Sequence, residues 1–360
     1  MAVTVNRETA ERVLLKAFEN KVEQNDNISS KIRNVINGTH LTYKYILVNA
    51  LLAKASNADV DALCLQAGAP SVGAFDARSL CHKVLVPFER KYLNNSLGGS
   101  NEPFLNKPAR FMMLGSDNAV RAGKDRNTLD SLIDILSSIN STEEAYRYLC
   151  GAMFVLNERI SYIDSLYDID VNNKTNLSDI YNFILRLSDK PCNGEICALI
   201  VSTLETLFYK SISKDYEIIP HKVNESGSSS YEIGDIDIFH QNKLIAAIEV
   251  KDKNFTDSDI EHALKKALEA KCEKFMFIYG RSAQFDKEKV YSIVMQYQNK
   301  GLFCVLSSLL PYTRQLLYRL PSVDRHTFLT SLFSIEKTIQ CKEDTILWVR
   351  QVVDELEWTN

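Results

Sequence analysis

With 45% hydrophobic residues and a formal charge of −4 over 360 residues, the chain has the balance of a globular protein long enough for two domains, and its net charge excludes a uniformly basic nucleic-acid coat, though not a local basic patch. Apolar runs such as ALIV at residues 198–201 are far too short to span a bilayer and no charged-then-apolar leader precedes them, so a soluble cytoplasmic protein is expected. The eight cysteines are scattered, and the close pair Cys192 and Cys197 lacks the spacing and partners of a zinc knuckle, so reduced, mostly buried thiols are expected.

Residues 8–22 carry Ala10, Val13, Leu14, Ala17 and Phe18 at helical spacing, and residues 41–55 repeat the habit around Tyr45, Val48, Leu51 and Leu52. Both read as core-facing helices. Residues 68–111 are punctuated by Pro, Gly and Asn, so much of this stretch reads as loop, with a helix starting after Asp76, an acceptable N-cap for ARSLCHKVL. Arg78, Lys83, Arg90 and Lys91 lie on or beside that helix. The loop LGGSNEPFLNKPAR adds Ser100, Asn101, Lys107 and Arg110, donors suited to phosphate oxygens or base edges. Between residues 78 and 126 there are nine Lys or Arg against four Asp or Glu, which makes this the place to expect DNA contacts; an ordinary charged surface loop is the alternative. The GGS turn lacks the following Gly-Lys-Ser or Gly-Lys-Thr of a phosphate-binding loop, which removes support for ATP binding.

Helices are expected to follow, one with an apolar stripe of Leu129, Leu132, Ile133, Leu136 and Ile139, the next opened by a capping box of Ser141 and Glu144. Residues 172–176 read as a connection. From Glu195 the pattern becomes helices alternating with strands: a helix around residues 198–209, a candidate first strand at 216–223, and a flexible, donor-rich SGSSS at 226–230. Beyond residue 253, Thr256 with Asp259 caps the helix DIEHALKKALEAK, KFMFIY at 274–279 and LFCVLS from Leu302 read as buried strands, and a helix at 287–299 closes at Gly301. The remainder to Trp358 reads as helical.

The informative stretch is YEIGDIDIFHQNKLIAAIEVKDK at 231–253. Ile236 and Ile238 alternate with Asp235 and Asp237, so a strand puts both carboxylates on one face. The loop HQNK turns the chain back into an apolar strand on which Glu249 and Lys251 share a face. Antiparallel pairing brings Glu249 opposite Asp235 or Asp237, depending on the turn. Carboxylates so gathered suit Mg²⁺, a metal that polarises a phosphate and acidifies a bound water, and a lysine two residues on can orient that water. The other Glu-x-Lys, Glu269 and Lys271, falls at a helix end. An edge hairpin with a solvated outer face is the alternative.

GDIDIF and IEVKDK, with the surrounding order of strands and helices, resemble the PD-(D/E)xK nuclease superfamily, which implies a mixed central sheet flanked by helices. Carried over, the second acid falls on Glu249, the lysine on Lys251, and the first acid on Asp235 or Asp237; Glu205 occupies the place where some members keep a further acid on the preceding helix. Gly stands where the name-giving proline would sit. DARSLCHKVLVPFE and LGGSNEPFLNKPAR resemble type II restriction endonucleases grouped with SacI. The resemblance implies a mainly helical N-terminal domain (residues 1–190) with the recognition loops and a nuclease domain with a helical cap (191–360). It further implies a Mg²⁺-dependent, sequence-specific endonuclease of double-stranded DNA, leaving 5′ phosphates. A homodimer is implied for a palindromic site, and so is a cognate methyltransferase acting on that site without any need to bind this chain. A structure-specific repair or junction nuclease, or a DNA-binding protein with an inactive core, is the alternative.

Overall fold

The computed structural model describes residues 2–118, 123–172, 176–222 and 232–359. The SGSSS stretch and most of the 172–176 connection lie outside the described residues. The chain forms two compact units, Met1–Ser165 and Leu166–Asn360.

The first unit is helical. Helices α1 (Arg7–Glu19), α2 (Asn27–Asn37), α3 (Leu41–Ser56), α6 (Lys124–Ser137) and α7 (Thr142–Ser165) enclose one apolar core, with α4 (Ala77–Leu80) and α5 (Val86–Tyr92) joined through a π-helical turn, Cys81–Leu85. The core-facing helix expected at 41–55 is α3, and the core surrounds it on every side. Every residue from Thr42 to Ala53 is buried, Lys44 included, because α1, α2, α6 and α7 all pack on it. Local signals held where the chemistry is local: Asp76 accepts the Ser79 N–H at 2.9 Å and starts the helix at Ala77. Ser141 accepts the Glu144 N–H at 3.1 Å, but Glu144 reaches back to the N–H of Asn140 instead of Ser141.

In the second unit a five-stranded sheet has the order β1 (Tyr216–Pro220), β2 (Ile236–His240), β3 (Lys243–Lys251), β4 (Lys274–Tyr279), β5 (Phe303–Ser308). β1, β2 and β3 are antiparallel neighbours, and β3, β4 and β5 run parallel. The change follows from the connections: a two-residue hairpin returns the chain antiparallel, whereas α10 (Asp257–Glu269) and α11 (Lys287–Asn299) each cross over to a parallel strand. The apolar stripe of α10, with Ile260, Ala263, Leu264 and Ala267, packs with Val290 and Val294 of α11 against Ala247, Phe275 and Phe277 of the sheet. α9 (Glu195–Ile212) packs on β1 and β3. α12 (Leu309–Arg319) and α13 (Arg325–Thr338) pack on α9, and α8 (Leu177–Leu187) packs with α12 and α14 (Glu343–Glu355). Those contacts put α8 in the second unit and the division after Ser165, earlier than the expected residue 190. All eight cysteines are free, and all except the half-buried Cys192 are buried.

Candidate active site and recognition surface

Gln241 and Asn242 turn the β2–β3 hairpin with φ of 50° and 63°, the left-handed pair that matches strand twist. A register shift between Ile238 and Phe239 absorbs one residue, after which Asp237 pairs with Ala247 and Ile236 with Ile248. Continuing by one step sets Asp235 beside Glu249. Ile236 and Ile238 are buried, but so is Asp237 between them, so burial does not set the carboxylates of this strand apart from its isoleucines.

Asp235 precedes β2 and accepts the Val250 N–H at 2.8 Å. Burial and then the Glu249 charge push its carboxyl up to about 7, while Lys251 and His221 pull the other way. Lys251 Nζ lies 2.9 Å from Glu249 Oε1. Burial works against the charge on Lys251, yet Glu249, with Asp235 beyond it, outweighs burial and raises the ammonium above its ordinary value. Lys251 is therefore a donor and a positive charge at neutral pH. Among the described residues no group of three or more His, Cys, Asp or Glu forms a ready-made metal cage. Two neighbouring carboxylates, one of them hard to ionise beside the other, fit a Mg²⁺ ion that takes one or two protein oxygens and fills its remaining positions with water and phosphate.

Asp237 is held differently. It is 1% exposed, and its oxygens accept from the N–H groups of Ile233 and Gly234 and from His221 Nε2, each at 3.0 Å. Burial works to lower the His221 pKa, but the hydrogen bond to Asp237 and the charges of Asp237, Glu232 and Asp235 together outweigh it and raise the value. Sequence reading passed over His221, which carries no motif and meets Asp237 only because β1 lies alongside β2. Glu205 is not brought to the Asp235–Glu249–Lys251 group. Its buried carboxyl, pushed up to about 8 by burial, accepts from Tyr312 of α12, and Arg319 is the charge that acts on it. Glu269 ends α10 and Lys271 follows at φ 55°, which separates this pair from the half-buried Glu249 and Lys251 on β3.

On the first unit, Arg78 meets Glu102 at 3.5 Å, and Arg90 donates to the Asn101 side chain. The helical run and the loop at 93–102 thus bring Arg78, Arg90 and Asn101 together. His82, 3.4 Å from the Asn101 carbonyl, joins them without having been anticipated. Lys83 and Lys107 are exposed. Lys91 lies over the Tyr92 ring, Ser100 donates its N–H to Tyr45, and Arg110 folds back onto the Leu105 carbonyl.

The family described as SacI restriction endonuclease N-terminal domain matches residues 9–160, and the corresponding C-terminal domain matches residues 173–281. The chain belongs to the SacI restriction endonuclease family and is a type II site-specific deoxyribonuclease. Type II restriction enzyme SacI from Streptomyces achromogenes is 24% identical over 286 residues, covering 74% of each chain.

Proposed function

We propose that this protein cuts both strands of double-stranded DNA at one sequence, using Mg²⁺ and leaving 5′ phosphates and 3′ hydroxyls. The observation that carries the reading is the convergence of Asp235, Glu249 and Lys251 at the ends of two paired strands. Asp235 and Glu249 are the metal ligands, and Asp237, saturated by hydrogen bonds, braces the turn that aims Asp235. When bound, Mg²⁺ polarises the scissile phosphate and acidifies a coordinated water. Lys251 donates a hydrogen bond to the attacking water or the phosphate oxygens and offsets the negative charge that builds in line. The partly buried setting strengthens that interaction relative to open water.

Arg78, Lys83, Arg90, Lys91, Ser100, Asn101, Lys107 and Arg110 supply the DNA contacts, the exposed lysines to phosphates and the Arg78, Arg90 and Asn101 group to base edges. The protein acts as a cytoplasmic homodimer in a restriction-modification system, one protomer for each strand of a palindrome. A cognate methyltransferase recognises the same sequence independently. Incubating plasmid with the protein and Mg²⁺, then sequencing the ends, tests the reading: discrete fragments with 5′ phosphates are expected. Cutting confined to branched DNA, or undiminished plasmid cleavage by Glu249→Ala and Lys251→Ala, would refute it.

A further inference from the structure

We infer that Tyr45 and Glu89 are positioning residues for sequence recognition: buried beneath the loop at 93–102, they hold its backbone so that Asn101 and Glu102 meet Arg78, His82 and Arg90 as one surface facing the base edges of a duplex. The inference rests on the proposed function and deepens it. Glu89, on α5, is 0% exposed, and its carboxylate accepts the N–H groups of Leu97 at 2.9 Å and Gly99 at 3.1 Å and the Tyr45 hydroxyl at 2.6 Å. That hydroxyl in turn accepts the Ser100 N–H at 2.8 Å. Burial, and then the Glu89 charge, push the Tyr45 pKa far up, so the hydroxyl keeps the proton it donates.

The loop needs such an anchor. Asn94, Asn95, Gly98 and Gly99 all have positive φ, a costly succession unless the surroundings fix it. Apolar side chains could fill the space beneath, but they offer no acceptor to three backbone N–H groups. On the outer side, Glu102 lies 3.5 Å from Arg78 and 3.8 Å from His82, and Asn101 lies against Arg90 and His82. Arginine forks suit guanine, an amide suits adenine and a carboxylate suits the cytosine amino group, so the set has the chemistry of base readout and not only of phosphate attraction. Sequence is read only when these groups stand at fixed spacing, and the buried pair sets that spacing.

The test uses the full-length protein and two duplexes, one centred on the sequence found at the cut plasmid ends and one scrambled with the same composition. Tyr45→Phe keeps the buried ring and removes the bridging hydroxyl; Glu89→Gln keeps the shape and changes acceptor for donor. Each is expected to lower the ratio of cognate to scrambled affinity by about tenfold, the loss of one well-placed hydrogen bond, while cleavage at saturating DNA stays near the parent's rate. Asn101→Ala should cost less discrimination in the Tyr45→Phe background than in the parent, because both act through one loop. An unchanged ratio in a folded Tyr45→Phe protein would overturn the inference, as would equal loss on both duplexes accompanied by a lower Tm. A parent that neither binds nor cuts DNA removes the proposed function and this inference together, whereas a selective parent with an equally selective Tyr45→Phe removes this inference alone.

Discussion

Of the two aspartates in GDIDIF, Asp235 has a carboxyl pushed up to about 7 beside Glu249, whereas Asp237 accepts three hydrogen bonds. Substituting each by Asn separates their work. Asp237→Asn leaves buried donors without acceptors and is expected to lower stability by roughly 1–3 kcal/mol. Asp235→Asn relieves repulsion with Glu249 and is expected to abolish plasmid nicking with Tm unchanged or higher; a retained cleavage rate would count against its role. Glu205 gives a pH signature. Its folded pKa of about 8 stands above the ordinary value of 4.5, so the native state binds its proton more tightly than the unfolded state. That stabilisation is complete below about 4.5 and is lost as pH rises through about 8. Glu205→Gln is expected to flatten the fall in stability across this window, an effect on the order of 2–4 kcal/mol, which denaturant melts from pH 5 to pH 9 would measure.

At the scale of elements, the hairpin depends on a close approach. A Cβ on Gly234 would lie 2.5 Å from the Ile248 carbonyl oxygen, so Gly234→Ala is expected to push β2 from β3 beside Asp235. Stability and cleavage should fall together, unlike the Asp235→Asn result, and parallel melts and nicking assays distinguish the two. Gly234 thus has a packing reason. Thr256 and Asp259 form the reciprocal cap of α10; Thr256→Ala is expected to cost about 1 kcal/mol, readable by denaturant melts. These elements were legible because alternation, capping and a two-residue turn act over a few neighbouring residues. Tyr45 read only as one more core residue, because the carboxylate that gives its hydroxyl a task lies 44 positions away.

For the whole molecule, the proposed DNA contacts are compatible with a net charge of −4, because the charge of an exposed cation such as Lys83 or Lys107 acts locally, within about 8 Å at physiological salt. Replacing either by Ala is expected to reduce the slope of log affinity against log salt by about 0.9, uniformly over sequences, if each holds one phosphate. Filter binding on scrambled DNA at several salt concentrations measures it. The sequence by itself determined the strands of the second unit, the helices α9, α10 and α11, the hairpin, and the facing of Glu249 with Lys251, since each follows from periodicity or a short-range cap. Tertiary structure decided that Asp235, not Asp237, lies beside Glu249, that Glu205 pairs with Tyr312, and that α8 joins the second unit. Those outcomes turn on a one-residue register shift and on contacts between distant segments, where packing and burial, not local preference, select the partner.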